Sequence, residues 1–275
     1  MKQFDNIQDG AYGMLYECVD LLNSLNVEYI VVGGWSPYLL NSKPIIHPGT
    51  KDVDILFNGA YKKDKLKDVI LAFLEAGFIL SAKHDFQLFK EIDVCGKKFI
   101  YNMDLLHPLE TLKTKEIYVE HIEFEIPIDK YLSKNFAMKS IALPSSQILF
   151  DNKYYKNYKL DIDQLKPIEF PLMNEVGTLL TKSQSVLIEK RYRDSLDIYL
   201  AISQNQDYKD FIKKLVKLKS KNPDAFNNLY GVRQAFEELK LFINSNRFHQ
   251  FDKTEFANTM TSFMKEIQLD KLATH

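Results

Sequence analysis

Apolar residues recur at helical spacing between Ala11 and Leu25, through Met14, Leu15, Cys18, Val19, Leu21 and Leu22, and this period predicts a first long helix. After a break at Asn23 to Asn26, Tyr29-Ile30-Val31-Val32 is a short continuous apolar run that reads as a buried strand and stops at Gly33-Gly34. Pro37, directly after Ser36, suits the first turn of a new helix, where a missing N–H costs nothing. The expected order is helix, strand, Gly-Gly turn, helix.

Asn41 to Gly49 contains Pro44 and Pro48 and reads as a loop, whereas Lys51-Asp52-Val53-Asp54-Ile55-Leu56-Phe57 alternates charged and apolar residues as a half-buried strand does. Leu66, Val69, Ile70, Phe73 and Leu74 predict a helix over Lys65 to Ala76, with Gly77 placed to end it. Strands are expected around Phe86 to Ile92, Lys98 to Leu106 and Tyr118 to Ile126. After about residue 165 the pattern turns helical, over Leu172 to Ile188, Ser195 to Ser203, Tyr208 to Leu218, Ala225 to Asn244 and Thr254 to Ile267. The expected fold is α+β, with a mixed-sheet core over residues 1–150 followed by an α-helical C-terminal domain over residues 151–275. Asp151 to Leu165, rich in Asp, Lys, Asn and Tyr, is the expected linker, although its tyrosines could also pack. No internal repeat or low-complexity tract is present.

Composition narrows this picture only slightly. Of 275 residues 45% are hydrophobic and 27% charged, as in an ordinary folded domain. With 36 basic and 37 acidic residues the net charge is -1, so any nucleic-acid contact must use a local patch. The two cysteines, Cys18 and Cys95, form neither a disulfide framework nor a zinc pattern, and a reducing compartment is expected. Neither a signal-peptide pattern at the first residues nor a stretch of eighteen apolar residues is present, which leads to the expectation of a soluble, cytoplasmic protein without membrane contact.

Candidate chemistry begins at the glycines. A strand running into Gly33-Gly34 and then a helix lets backbone N–H groups approach a phosphate without Cβ interference, although most such pairs are merely turns. Asp52 and Asp54, two apart on a strand, project from one face, where their carboxylates suit one or two divalent cations. The competing reading is a solvent-facing edge strand with alternating charges, but Val53, Ile55, Leu56 and Phe57 make this strand more apolar than such edges. Asp104, within the apolar run Ile100 to Leu106, is the favoured third carboxylate. Asp93 is the alternative, although Cys95-Gly96 places it beside a hairpin turn.

Val31-Val32-Gly33-Gly34-Trp35-Ser36 followed by Thr50-Lys51-Asp52-Val53-Asp54-Ile55-Leu56 resembles the motif of the polymerase-beta-like nucleotidyltransferase superfamily, an apolar residue, Gly, then Gly or Ser, and Asp-x-Asp. Among its branches the chain most resembles the AbiEii type, known as toxins of toxin–antitoxin and phage-abortive systems. Lys182 and the later Arg191-Tyr192-Arg193-Asp194-Ser195-Leu196-Asp197 are similar to that branch's helical lysine followed by Arg, Lys-Asp and a second Asp. Arg193 stands where lysine is usual. Gly34 stands where many relatives have Ser, and the spacer from Trp35 to Lys51 is longer than in compact members. The last eighty or so residues carry no such resemblance.

The resemblance implies a nucleotidyltransferase core, an NTP such as ATP as donor and two Mg²⁺ ions held by Asp52, Asp54 and Asp104, with Asp104 accepting the proton of the attacking hydroxyl. It implies that Gly33, Gly34 and Ser36 contact the triphosphate, with Lys182 and Arg193 or Arg191 assisting. A salt-bridged helix start, capped by Asp194, is the other reading of Arg193, Asp194 and Asp197. The implied acceptor is a nucleic-acid end such as tRNA, with an antitoxin protein as a further partner. A small hydroxylated acceptor of the aminoglycoside kind, a protein acceptor, or a non-catalytic nucleotide-binding protein are the alternatives. Lys209, Lys213, Lys214, Lys217, Lys219 and Lys221 form a basic stretch that is ordinarily a solvated face and would suit phosphate contacts if the acceptor is RNA. The six histidines show no metal-ligand spacing, and Trp35 is expected to pack rather than to stack on a base.

Overall fold

A computed structural model describes residues 4–41, 44–58, 63–81, 84, 86–108, 121–125, 135–144, 146–163 and 165–269. The chain opens with α1 (Ile7–Ser24), capped by Asn6, whose side chain accepts the Asp9 N–H. Next come β1 (Tyr29–Val32), α2 (Trp35–Leu40), β2 (Val53–Phe57), α3 (Lys63–Glu75), β3 (Ile79–Leu80), β4 (Gln87–Val94) and β5 (Lys97–Pro108). Then come β6 (His121–Glu125), β7 (Asn135–Lys139), β8 (Ile141–Leu143), α4 (Gln147–Asp151), β9 (Tyr155–Leu160) and β10 (Ile168–Met173). Beyond this point the described elements are helical: α5 (Glu175–Lys182), two 3-10 turns at Ser185–Leu187 and Glu189–Arg191, α6 (Arg193–Ser203), α7 (Tyr208–Lys221), α8 (Pro223–Asn227), α9 (Tyr230–Glu237), α10 (Lys240–Ser245) and α11 (Lys253–Glu266). The fold is therefore α+β, a mixed sheet followed by a helical C-terminal region.

The elements divide into two compact units. One comprises Met1–Gly33, Gly49–Asp151 and Tyr155–Leu172, and the other Gly34–Pro48, Asn152–Tyr154 and Met173–His275. In the first unit the main sheet runs β3-β4-β5-β2-β1-β10-β9, with β8 also paired to β5. It is mixed because β2 pairs antiparallel with β1 and parallel with β5, while β1 pairs parallel with β10. Tyr29, Ile30, Val31 and Val32 are all buried, as a central strand covered on both faces requires. Along α1 the buried stripe is Met14, Leu15, Cys18, Val19 and Leu22, and the Tyr101 hydroxyl on β5 donates to the Ile7 carbonyl at 2.8 Å. The β4–β5 hairpin turns at Cys95-Gly96, both at positive φ, 50° and 75°. That geometry matches the right-handed twist of the strands.

Several elements differ from the sequence pattern for identifiable reasons. Asp151 to Leu165 supplies β9 rather than only a connection: Leu160 is buried, and the Tyr158 ring lies 5.8 Å from that of Phe170 on β10. The apolar run from Leu172 to Ile188 is shared, since Leu172 and Met173 finish β10 and Asn174 then caps α5 by accepting the Gly177 N–H at 3.1 Å. Ala225 to Asn244 is not one helix but parts of α8, α9 and α10, interrupted at Leu239, which has a left-handed φ of 59°. β6 pairs with β7 in a separate two-stranded sheet, and Tyr118 and Ile126, the expected ends of that strand, lie outside the described residues.

In the helical unit Tyr199 of α6 stacks on Phe256 of α11 with ring centroids 4.0 Å apart, and Phe242 and Phe251 meet Phe256 edge-on. Trp35 of α2 is fully buried, with its ring 5.7 Å from that of Tyr38, in the packing role expected of it. No helix among the described residues is long and apolar enough to cross a membrane.

Gly231 in α9 lies directly against the backbone of Ser183, and a Cβ added there would come within 1.9 Å of the Ser183 carbonyl oxygen. Backbone cannot step aside as a flexible side chain can. Gly231→Ala is therefore expected to destabilise the protein by about 1–3 kcal/mol in urea unfolding, despite the better helix propensity of alanine.

Candidate active site

β2 brings one carboxylate into an apolar strand. Val53, Ile55, Leu56 and Phe57 are buried while Asp54 is half-buried, so its carboxylate lies on the more open face. Val32, the last residue of β1, is paired with Asp54, which puts the following Gly33 beside the aspartate. Gly33 adopts φ +71°, and a Cβ built on it would lie 1.8 Å from Asp54 Oδ2. Both the backbone conformation and the room for the carboxylate thus depend on this glycine.

On the other side of β2, Asp54 pairs in register with Asp104 of the parallel strand β5. In-register neighbours project from the same face of adjacent strands about 4.8 Å apart, so the two carboxylates stand side by side. Asp104 in turn pairs with Gln87 of β4, whose Nε2 donates to Asp104 Oδ1 at 2.7 Å. Asp52, exposed just before β2, accepts a hydrogen bond from Asn102 Nδ2 at 3.2 Å through Oδ1. One sheet face therefore carries Asp54 and Asp104 with Asp52 at its margin, and amides from β4 and β5 hold two of the three. Asp93 lies elsewhere: its Oδ1 accepts the Gly96 N–H at 2.8 Å and stabilises the hairpin turn.

This donor set is all oxygen, which suits a hard divalent cation such as Mg²⁺. Among the described residues no group of three or more His, Cys, Asp or Glu side chains is already gathered around a single point. Mg²⁺ does not need such a cage, since it is commonly held by one or two carboxylates with waters and substrate phosphates completing its shell. The Asp54–Asp104 pair fits that requirement, and the missing Cβ at Gly33 leaves the room that the Asp54 carboxylate occupies.

The remaining residues singled out from the sequence belong to the helical unit. Ser36 is fully buried; its hydroxyl donates to the Met173 carbonyl at 2.6 Å and lies 3.0 Å from Thr178 Oγ1. Lys182, at the end of α5, is 8% exposed, and its Nζ lies 2.7 Å from Asp194 Oδ1 and 2.8 Å from Asp197 Oδ2. Asp194 also accepts from Ser185 Oγ at 2.6 Å, and Asp197 Oδ1 lies 2.8 Å from His47 Nε2. Asp194 does not cap α6, whose first turn has no side-chain cap. Its charge is directed at Lys182 instead. Arg193 is half-buried at the start of α6, and Gly34 precedes α2.

Burial by itself would raise the Asp197 pKa, but the Lys182 charge, with the hydrogen bond and charge of His47, outweighs it and holds the carboxyl at about 2. Burial would likewise lower the Lys182 pKa, and Asp194 and Asp197 reverse that, holding the ammonium well above its ordinary range. Sequence pattern does not mark several residues of these networks, among them His47, Gln87 and Asn102. His47 sits between two prolines in a loop with no periodic pattern, so nothing local marks it. Gln87 was within reach, because counting outward from the Cys95-Gly96 turn pairs it with Asp104, whereas Asn102 meets Asp52 only through the long-range pairing of β5 with β2.

The lowered pKa of Asp197 gives a stability contribution that is present above its unfolded value of about 4 and is lost as pH falls toward about 2. Asp197→Asn should lower stability at pH 6 by about 3 kcal/mol, since it leaves a buried charge short of a partner. The same variant should show a shallower loss between pH 4 and pH 2 than the unaltered chain, as read by urea unfolding across that range. Equal acid limbs in the two proteins would remove Asp197 as their source.

No protein-family model matches the chain, and no curated protein matches it. Among solved structures it is similar to an antigenic nucleotidyltransferase-like protein from Paracoccidioides brasiliensis, at 17% sequence identity and a TM-score of 0.36, covering 81% of this chain and 93% of that one.

Proposed function

We propose that this chain is a metal-dependent nucleotidyltransferase that moves a nucleotide from an NTP to a hydroxyl acceptor, with Asp54 and Asp104 at its centre. The observation that carries this reading is the side-by-side placement of Asp54 and Asp104 on adjacent parallel strands, with Gly33 lacking the Cβ that would displace one of them. Two like charges held this close favour a cation between them. An all-oxygen pair beside a glycine turn with exposable backbone N–H groups is what a metal-bound polyphosphate requires.

In the proposed reaction the acceptor hydroxyl oxygen forms a bond to the α-phosphorus of the NTP while the bond from that phosphorus to the β-phosphate bridge oxygen breaks. Pyrophosphate leaves, and the hydroxyl proton passes to the Asp104 carboxylate. Bound Mg²⁺, held by Asp54 and Asp104 with Asp52 completing the set, would lower the pKa of the hydroxyl and offset the charge on the phosphates. Gln87 fixes one oxygen of Asp104, and Asn102 one oxygen of Asp52, so the carboxylates are oriented before substrate arrives. The backbone at Gly33 can approach a phosphate closely.

The triphosphate contacts that the resemblance implies for Gly34, Ser36, Lys182 and Arg193 are separate proposals. For Ser36 and Lys182 the protein partners already described favour a role in holding the helical unit together. A nucleic-acid end such as tRNA is the proposed acceptor, in a toxin-like setting with an antitoxin partner.

Purified protein incubated with Mg²⁺, each α-labelled NTP in turn, and either RNA, a protein lysate or a small polyol should transfer label to one acceptor class. EDTA should abolish the transfer. Asp54→Asn and Asp104→Asn should each reduce it more than about a hundredfold while leaving thermal unfolding cooperative. Undiminished labelling in both variants would overturn the assignment of the site. A second expectation separates positioning from folding: Gly33→Ala, forced into a left-handed conformation against Asp54, should lose labelling out of proportion to a stability cost of about 1–2 kcal/mol.

A further inference from the structure

The segment between α5 and α6 and the turn after α10 meet at an aromatic pair, one ring exposed and the other half-buried. Tyr192, 40% exposed, stacks on Phe248 with centroids 5.8 Å apart and planes 17° from parallel. The Arg247 guanidinium lies 5.0 Å from the centre of the Tyr192 ring. Ile188, four residues before Tyr192, is 55% exposed, and Lys190, Arg191 and Arg247 are all exposed.

These three cations form no ion pair with a described carboxylate. Some exposed cations elsewhere are paired, as in Lys98–Glu91 and Lys240–Glu238, and others, such as Lys153, Lys209 and Lys253, are not, so what distinguishes this surface is the aromatic pair set among its charges. Between Ile188 and Arg193 the single carboxylate is Glu189, and Asp194 just beyond it is engaged by Lys182 and Ser185. The surface thus combines three cations, against the one neighbouring free-standing carboxylate Glu189, with a stacked aromatic pair, in a chain whose net charge is -1.

We propose that this surface docks a single-stranded nucleic acid, with Lys190, Arg191 and Arg247 gripping phosphates and the Tyr192–Phe248 pair receiving an unstacked base. The cations alone would suit any polyanion. A peptide uses an aromatic pair only where one of its own aromatic or apolar side chains falls there, whereas every nucleobase has a π-face to lay against it. The two rings are already stacked and the guanidinium already lies against Tyr192, which leaves less ordering to be done on binding. The proposal needs neither NTP nor metal, so its failure and the failure of the nucleotidyltransferase reading are separate results.

The test is fluorescence anisotropy of the full chain, without NTP or Mg²⁺, using a labelled single-stranded RNA of roughly a dozen nucleotides and a counterpart of the same length with abasic residues throughout. The RNA should bind more tightly than the abasic strand. Tyr192→Leu should weaken RNA binding roughly ten-fold and leave the abasic strand unaffected, while Tyr192→Phe should bind as the unaltered protein does. Lys190→Gln should weaken both strands and reduce the slope of log affinity against log salt by about 0.7. Equal affinity for the two strands, an unchanged affinity in Tyr192→Leu, or absence of binding at low salt would each overturn the proposal. An acidic peptide of matching charge that binds as tightly as the RNA would overturn it in favour of a protein partner.

Discussion

A carboxylate on an otherwise apolar strand is unfavourable unless its charge is shared, and the middle of the sheet is arranged around that constraint at Asp54. β2 is flanked by β1 and β5, with its apolar side chains buried and only the aspartate left half-open. Gly33 makes room for the carboxylate by having no side chain, and Asp104 stands beside it through the register of two parallel strands. A shift of one residue in that register would send Asp104 to the opposite face. The hydrophobic pattern that builds the sheet is therefore also what brings the two charges together. Sheet formation and site formation are one event.

The helical unit meets the same difficulty in a different way. Lys182 and Asp197 are charges removed from water, and each is satisfied by more than one partner: Asp194 and Asp197 for the lysine, Lys182 and His47 for Asp197. Such a network contributes little over a well-packed apolar replacement, but it penalises any arrangement in which one member is missing. Its value lies in selecting one conformation. His47 belongs to the Gly34–Pro48 segment and Asp197 to α6, so the network specifies where that segment lies on the helices of its own unit.

Much of the fold could be read from periodicity, because long amphipathic helices and alternating strands carry their own signals. α1, β1, β2, α3, β4, β5, α6, α7 and α11 all lie where the pattern places them. The misses occur where tertiary contact overrides local pattern. Leu172 and Met173 look like the start of a helix because they are apolar, yet pairing with β1 claims them for β10. The interruption at Leu239 has no glycine to announce it. For the candidate site, Asp52, Asp54 and Asp104 stood out as charges in apolar surroundings, whereas Gln87, Asn102 and His47 are neutral or locally unremarkable and matter only through partners far along the chain.

The way the chain is divided between its two units bears on how it can be made. Gly34–Pro48 is synthesised early but packs with a unit whose remaining residues begin at Met173, apart from Asn152–Tyr154. His47 and Asp197, which hold it there, are 150 residues apart in sequence. During translation that segment must wait, already emerged and without its partners, while the sheet residues on both sides of it assemble. Contacts this distant slow folding and lengthen the exposure of unfinished surface. A truncation that keeps only the N-terminal half would leave fifteen residues of the helical unit stranded in the sheet's sequence. Neither unit corresponds to one continuous piece of the chain, and division of labour in this protein does not follow the order in which it is written.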